Sequence, residues 1–382
     1  MSDTAGTVSG LCPPRFAAVR ERFAAHFEQG LEIGARFALC LDGEIILDLM
    51  GGYADRALTR PFGPDTLTPV FSTTKAITNL MLARLVGQGR IAYDTPIIEV
   101  WPEFGAAGKD YLTLGQMLSH QGGLCGLSEP MTPADWLDWD GICARLAAMT
   151  PLWPPGTASG YHPVTIGYLA GEVFRRVDGR SIGTALREDV AGPLGLDLWI
   201  GLPESEHGRC AEVRRPPAMP DLGEMTLPRR LAFFTPWASP GGVSPAAYRR
   251  FEIPSANGHA TAEALARLMN LLACDGVIDG APILAPGVAA EAARLRISGP
   301  DLVLPYTISW GAGFIRNEGL WLYGPGRETF GHSGWGGSCA FADPERGLSG
   351  AYVMNRQSAE LIADARARAL IAAAYEALNR EN

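Results

Sequence analysis

The feature that most limits what this chain can fold into is the placement of its β-favouring runs, which lie at the two ends and leave the middle helical. Near the amino end, Arg36 to Leu41 and Glu44 to Met50 are apolar runs joined by Asp42-Gly43, a pair suited to the positive φ angles of a tight hairpin. At the far end, Thr307 to Arg316, Glu318 to Tyr323, Ser338 to Ala342 and Leu348 to Met354 read as further strands. Between them the apolar spacing becomes helical, over Lys75 to Gly87, Thr113 to His120, Pro133 to Met149 and Pro163 to Val177, with Pro and Gly at the breaks. Helices also close both ends. Phe16, Val19, Phe23 and Phe27 repeat at helical spacing within Pro14 to Gln29, and the tail from Ser358 to Leu378 is alanine-rich.

The expectation is an α+β fold, with an antiparallel sheet formed by the N- and C-terminal segments, flanked by helices, and an inserted all-helical domain. The 382 residues suffice for two packed lobes. The boundaries read as 1–66 plus 206–382 for the sheet domain and 67–205 for the helical domain. Within the former, 206–258 is rich in Pro, Arg and aromatics with little periodicity, as expected of an irregular region framing a pocket. A site is expected in the cleft between the lobes.

Charge and composition narrow the function classes. A net charge of −9 argues against nucleic acid or an anionic membrane as partner, since both call for a basic face. The seven cysteines are odd in number and scattered, which suggests buried thiols and neither a disulfide framework nor a zinc site. The six histidines, His26, His120, His162, His207, His259 and His332, never pair at ligand spacing, so neither metal nor cofactor is expected. His120 and His259 read as residues that hold loops. The start, Met1-Ser2-Asp3-Thr4, lacks a basic and apolar leader, and no apolar run reaches membrane-spanning length, so a cytoplasmic location is expected. Nothing in the sequence sets the oligomeric state.

Lysine is nearly absent. Of 32 basic residues, only Lys75 and Lys109 are lysine. Arginine cannot give up its proton near neutral pH and lysine can, so a position needing a neutral amine cannot use the arginine this chain otherwise prefers. In Phe71-Ser72-Thr73-Thr74-Lys75-Ala76 the three-residue spacing puts Ser72 and Lys75 on the same turn of a helix start. A serine hydroxyl needs a partner to take its proton, and a buried lysine of lowered pKa can do so. The competing reading makes Ser72 an N-cap and Lys75 a solvated first-turn residue.

Two further segments fit a nucleophilic site. Pro154-Pro155-Gly156-Thr157-Ala158-Ser159-Gly160-Tyr161-His162-Pro163 is a turn-rich approach that presents Tyr161 at the mouth of a helix. A tyrosine beside a lysine ammonium can lose its proton below its usual pKa and share the base role. His162 reads as a supporting or surface residue. Phe330-Gly331-His332-Ser333-Gly334-Trp335-Gly336-Gly337-Ser338 is glycine-dense and runs into a strand, where backbone amides can approach a ligand closely. One such amide with the amide of Ser72 would form an oxyanion hole.

Ser72-x-x-Lys75, Tyr161 after a Pro-Gly turn and His332-Ser333-Gly334, in that order, resemble the serine β-lactamase and penicillin-binding-protein superfamily. Within it the chain looks most like the class C β-lactamase-like esterases, the family VIII carboxylesterases. The likeness extends to Leu118-Ser119-His120-Gln121-Gly122-Gly123-Leu124, Ser255-Ala256-Asn257-Gly258-His259 and Asp343-Pro344. The resemblance implies a nucleophile at Ser72 and a base pair of Lys75 and Tyr161. Matching the family's K-T-G strand to His332-Ser333-Gly334 puts the second oxyanion amide at Trp335, with His332, Ser333, Gly334 and Gly336 contacting substrate. Trp335-Gly336-Gly337 aligns to the same motif as an alternative. The family's Y-x-N and lysine are replaced by Tyr161-His162-Pro163 and His332, which disfavours β-lactams and favours an uncharged ester. A serine esterase acting on short-chain carboxylic esters follows. β-Lactamase, D-amino-peptide hydrolase and acyltransferase chemistry on the same site, or a non-catalytic scaffold, are the alternatives. One decoy exists: Gly179-Arg180-Ser181-Ile182-Gly183 matches the nucleophile elbow G-x-S-x-G, but helix rather than strand precedes it. Phe233, Phe234 and Trp237 are candidates for the pocket wall or for the core.

Overall fold

The computed structural model describes residues 8–216, 218–239, 243–278 and 280–380. The start Met1-Ser2-Asp3-Thr4, on which the cytoplasmic reading rests, lies outside the described residues.

The Asp42-Gly43 turn forms as expected. Both residues take positive φ, 48° and 91°, and Leu41 pairs with Glu44 across a two-residue loop. The strands it joins, Gly34–Leu41 and Glu44–Gly52, sit inside a nine-stranded antiparallel sheet. Across that sheet the order is Ser9–Leu11, Glu44–Gly52, Gly34–Leu41, Leu348–Met354, Cys339–Asp343, Phe330–Ser333, Ile315–Arg316, Thr307–Trp310 and Ile297–Pro300. The two ends of the chain meet where Ala38 pairs with Ala351. Gly34–Leu41 and Leu348–Met354 are buried almost throughout because helices cover both faces, which is why they read as continuous apolar runs and not as alternating ones. Ala17–Glu28 packs against Ala365–Asn379 on one side, and Ala262–Ala273 covers the other.

The expected strand at Glu318 to Tyr323 is absent. Its apolar residues wind instead around one buried side chain, Asn317. The Asn317 amide donates to the carbonyls of Gly324 (2.7 Å) and Gly326 (2.8 Å), and its oxygen accepts from the Tyr323 amide (2.9 Å). These bonds replace a sheet ladder, and the turn is completed by positive φ at Gly319, Trp321 and Gly324. The expected strand from Thr307 to Arg316 is a hairpin of two, Thr307–Trp310 and Ile315–Arg316. Ser9–Leu11 and Ile297–Pro300 are edge strands that hydrophobic periodicity did not signal.

Between the sheet strands the chain is mostly helical, over Thr74–Gly87, Leu114–Leu118, Trp139–Ala148, Thr165–Asp178 and Ile182–Leu186. The expected helix from Pro133 to Met149 is broken at Asp138, which caps the second half through the Gly141 amide (3.0 Å). Thr74–Gly87 is central and buried on every side. A small sheet of Thr68–Phe71, Gly258–Ala260 and Leu198–Trp199 leads into its start. The stretch 206–258 holds short capped turns, among them Leu227–Phe233 and Pro245–Arg250, so it is less irregular than its composition suggests.

The last helix is tied to the front of the sheet by a buried charge cluster. Arg366 donates to Asp364 (2.8 Å) and to Glu32 (2.9 Å), and Tyr352 also donates to Glu32. Burial pushes Glu32 up to about 7, against the pull of Arg366. A carboxyl raised above its unfolded value binds its proton more tightly when folded. Its contribution to stability is therefore full below pH 4.5 and is lost as pH rises through about 7. Glu32→Gln should flatten that decline, as measured by denaturation midpoints between about pH 4.5 and about pH 7; an unchanged slope would exclude Glu32 as its source.

Candidate active site

Thr68–Phe71 ends on a strained residue. Phe71 has φ 48°, a region costly for a residue with a Cβ, and the strain turns the chain sharply before the buried helix begins. Thr74 fixes the turn by donating to the Phe71 carbonyl (2.5 Å) while accepting from the Gly258 amide (2.8 Å). Ser72 is thereby placed just ahead of the helix, whose N-cap is Thr73. The Thr73 hydroxyl is itself engaged with Ser338 (3.0 Å). Ser72 is not a cap, and Lys75, 2% exposed, is not solvated.

The Lys75 amine lies 3.1 Å from Ser72 Oγ, 2.7 Å from the Pro163 carbonyl and 2.9 Å from the Ser255 carbonyl. No carboxylate pairs with it among the described residues. Burial lowers its pKa well below the usual lysine value. A neutral amine has two N–H donors and one lone pair. Two carbonyls take the donors, which leaves the lone pair for the serine hydroxyl.

Tyr161 lies alongside, its phenol influenced by the Ser72 side chain, with the Lys75 nitrogen 4.8 Å from its ring centre. The expectation that its phenol would lose its proton early is reversed. Burial pushes the phenol pKa up, and the neighbouring Ser72 side chain opposes this only in part. Tyr161 is held from behind by Asp301, whose Oδ1 accepts from its amide (2.9 Å) and from the amides of Val303 (3.0 Å) and Leu304 (2.9 Å). Asp301 carried no sequence signal beyond being an isolated acidic residue before an apolar run.

Three imidazoles surround this group. His162, expected as a supporting or surface residue, is 1% exposed; its ring bonds the Gly160 carbonyl (2.6 Å) and accepts from the Leu124 amide (2.9 Å). His120 accepts from the His162 amide (3.2 Å), packs its ring against Tyr161 and Trp310, and takes φ 62°. Together they join the Leu118 to Leu124 loop to the Pro154 to His162 loop. His332 donates from Nδ1 to the Ser333 carbonyl (2.8 Å), a tautomer assigned from that carbonyl, and its buried Nε2 has no partner among the described residues. Burial takes His162 and His332 down to about 3 and lowers His120 well below its usual value. All three are neutral at pH 7.

The strand Phe330–Ser333 brings His332 and Ser333 to the cleft, and the chain then turns through Gly334 to Gly337. Among the described residues, the amides of Ser72 and Trp335 donate to no protein acceptor. Gly334 and Gly336 do not line the cleft. A side chain at Gly334 would strike Ser338, the Val70 carbonyl and Thr73, and one at Gly336 would strike Gln357, so their expected substrate contact is replaced by a need for close backbone packing. The turn is clamped from outside. Gln357 donates to the Trp335 carbonyl (3.0 Å), the Gly336 amide donates to Glu360 (3.0 Å), and the Gly336 carbonyl accepts from Ser358 (2.9 Å) and Arg366 (2.8 Å).

Ser72, Tyr161, His332, Ser333 and Trp335 open onto a cleft of about 910 Å3. Its wall draws heavily on the 206–258 stretch, including Met219, Phe233, Phe234 and Tyr248. Trp237 is behind the wall, its ring tilted against that of Trp136 at 5.6 Å. Ser181, in the decoy motif, is a helix N-cap bonded to Glu252 (2.6 Å) and follows the helix Thr165–Asp178. Among the described residues, no group of three or more His, Cys, Asp or Glu could hold a metal, and no helix is long and apolar enough to cross a membrane.

Comparison with known proteins places this geometry. Residues 23–373 match the Beta-lactamase family. The Esterase/beta-lactamase LipL of Mycobacterium tuberculosis is 36% identical over 373 residues, covering 94% of this chain and 86% of the relative. A novel penicillin-binding protein homologue from Caulobacter crescentus superposes with a TM-score of 0.95 at 62% identity, covering 97% of this chain and 100% of its own. A family VIII carboxylesterase superposes with a TM-score of 0.91 at 41% identity, with the same coverage.

Arg366 reaches from the last helix to the turn that carries Trp335, with its guanidinium satisfied by Asp364, Glu32, Gly336 and two further carbonyls, those of Leu31 and Arg356. Removing one partner of such a buried network leaves uncompensated charges, so Arg366→Ala should cost about 3–5 kcal/mol in urea denaturation. Arg366→Lys should recover only part, because an ammonium cannot replace the planar fork. A loss below about 1 kcal/mol in the alanine variant would mean that the clamp carries no load.

Proposed function

The chain belongs to the Beta-lactamase family, and we propose that within it Ser72 is the nucleophile of a serine esterase that hydrolyses short-chain carboxylic esters through an acyl-enzyme. The observation that most supports this is the Lys75 amine, buried with no carboxylate partner among the described residues, 3.1 Å from Ser72 Oγ and held by the Pro163 and Ser255 carbonyls. Lys75 takes the Ser72 proton as the hydroxyl attacks the ester carbonyl. The amides of Ser72 and Trp335 receive the oxyanion. Tyr161, kept protonated by burial, hands a proton to the departing alcohol and is reprotonated through Lys75. Water then attacks the acyl-enzyme by the same route in reverse, releasing the acid and restoring Ser72.

Ester preference over lactam follows from two positions. Where the family's lactam-hydrolysing members carry the asparagine of Y-x-N, this chain has Pro163, which offers Lys75 a carbonyl and no amide donor. Where they carry a lysine, His332 is neutral, taken down to about 3 by burial, and cannot hold a lactam carboxylate as an ion pair. His332 and Ser333 are read as substrate contacts. The division into 67–205 and 1–66 plus 206–382 and the cytoplasmic location are proposed with the same reading.

Ser72→Ala should lower kcat for p-nitrophenyl esters by roughly a thousandfold or more, and a fluorophosphonate should label Ser72. Activity surviving in Ser72→Ala but lost in Ser181→Ala would overturn the assignment. Lys75→Arg should be close to inactive despite keeping its charge, and Tyr161→Phe should lose roughly a hundred- to ten-thousandfold. Because the Lys75 pKa is lowered and only the neutral amine is a base, kcat/KM should rise with pH through a limb well below 10.5 and then level. A limb near 10.5 would contradict the role. A chromogenic cephalosporin should be turned over far more slowly than the short-chain esters.

A further inference from the structure

The hairpin at the outer edge of the large sheet ends against the loop that carries Tyr161. Its strands, Ile297–Pro300 and Thr307–Trp310, pair from Trp310 with Ile297 to Thr307 with Pro300, and the Asp301 amide closes the tip on the Tyr306 carbonyl (2.9 Å). Two bonds join this tip to the loop. The Leu302 amide donates to the Ser159 carbonyl (2.9 Å), and the Tyr161 amide donates to Asp301 Oδ1 (2.9 Å). Gly160, between them, has other partners: its amide donates to the His120 carbonyl (3.0 Å) and its carbonyl is bonded by the His162 ring (2.6 Å). Ser159, Gly160 and Tyr161 are thus anchored in turn, with the hairpin tip taking the first and the last.

Asp301 is 4% exposed, and its Oδ1 also accepts from the amides of Val303 (3.0 Å) and Leu304 (2.9 Å), so one oxygen both folds the tip and ties it to Tyr161. The tip is held in turn by Arg229, which donates to the Val303 carbonyl (3.2 Å). At the base of the same hairpin the Trp310 ring lies parallel to that of Tyr161 within 5°, at 6.1 Å between centres. The hairpin therefore constrains the backbone and the ring of Tyr161 together. The Asp301 carboxylate also disfavours loss of the phenol's proton, in the same direction as burial, which is the larger cause. A phenol that hands on a proton must sit within hydrogen-bond reach of the oxygen that takes it, and a displacement of about 1 Å can cost about a hundredfold in rate.

We propose that Asp301 is a positioning residue for protonation of the leaving group: through its bond to the Tyr161 amide it holds the phenol where the oxygen of the departing alcohol receives its proton. The inference rests on the reading of Tyr161 as the group that protonates that alcohol. In this step the ester C–O bond breaks with its electron pair going to the alcohol oxygen, which takes the phenol proton. The phenolate regains a proton from Lys75, which had taken it from Ser72. The demand falls on poor leaving groups, because p-nitrophenolate departs without a proton and ethoxide requires one.

The test compares kcat/KM for ethyl acetate and p-nitrophenyl acetate in Asp301→Ser and Asp301→Asn. Serine keeps an acceptor for the local Val303 and Leu304 amides but is one bond too short for Tyr161, whereas asparagine keeps the accepting oxygen in place. Asp301→Ser should lose at least about tenfold more on ethyl acetate than on p-nitrophenyl acetate, whose turnover also shows that the variant folds. Asp301→Asn should return the ratio of the two rates to within about threefold of the parent enzyme's. Equal losses on both esters in Asp301→Ser, by whatever cause, or the same selective loss in Asp301→Asn, would overturn the proposal. Tyr161→Phe separates it from the reading beneath it. That variant should show the same selective loss, and equal losses there would defeat Tyr161 as the proton donor whatever Asp301 does. Combined with Tyr161→Phe, Asp301→Ser should add no further selective loss, and an additive loss would defeat the positioning role.

Discussion

Lys75 is buried with no counter-charge among the described residues, and much of the centre of the molecule is arranged around that condition. An ammonium at 2% exposure would cost several kcal/mol to desolvate with no carboxylate to offset it, so the folded chain favours the amine in its neutral form. Neutrality then makes demands on the neighbours. Two carbonyls must present themselves to the N–H groups, and they come from loops far apart in sequence, at Pro163 and Ser255. Ser255 is in turn fixed through its hydroxyl to the Val164 carbonyl (2.8 Å), so the two acceptors are mechanically one unit. The lone pair that remains is what the proposed reaction uses.

The same condition explains the histidines and Tyr161. A cation near Lys75 would hold the amine neutral by repulsion but would itself be buried, and an anion would restore the ammonium. The chain uses neither. It packs His120, His162 and His332 around the site, each kept uncharged by burial, and a phenol kept protonated by the same cause. Strong charges are held farther out, in the Arg366, Glu32 and Asp364 cluster that clamps the turn at Trp335. The site is thus polar in its hydrogen bonds, with Asp301 behind Tyr161 as its nearby acidic group, which suits an uncharged carbonyl as the reacting group.

What the sequence made legible was whatever depended on local chemistry or on scarcity. Asp42-Gly43 announced its hairpin because few other pairs accept two positive φ angles, and Lys75 stood out because arginine fills almost every other basic position. What stayed hidden depended on partners distant in the chain. Glu318 to Tyr323 has the composition of a strand, and only the burial of Asn317 among the carbonyls of Gly324 and Gly326 makes it a loop. The direction of the Tyr161 shift was misread because a sequence shows a lysine nearby but not the desolvation that neutralises it. Gly334 and Gly336 were read as substrate contacts, whereas the space they leave empty is claimed by Val70, Thr73 and Gln357 from other elements. Asp301 and Arg366 are ordinary charged residues until the fold surrounds them with donors and acceptors.

The placement of strands at the two ends of the chain therefore has a mechanical meaning. Ser72 follows a strand of the small sheet, while Trp335 sits on a turn of the large one, and Thr73 and Ser338 join the two directly at 3.0 Å. Ser338 also reaches the Val70 carbonyl (2.8 Å), so the strained approach to the nucleophile and the far turn share one hydrogen-bonded hinge. That turn is held in place by Gln357, Glu360 and Arg366, and Arg366 closes the circuit by bonding Leu31 and Glu32 ahead of the first central strand. The Ser72 and Trp335 amides, proposed to receive the oxyanion, therefore depend for their relative placement on the docking of the first and last segments of the sheet.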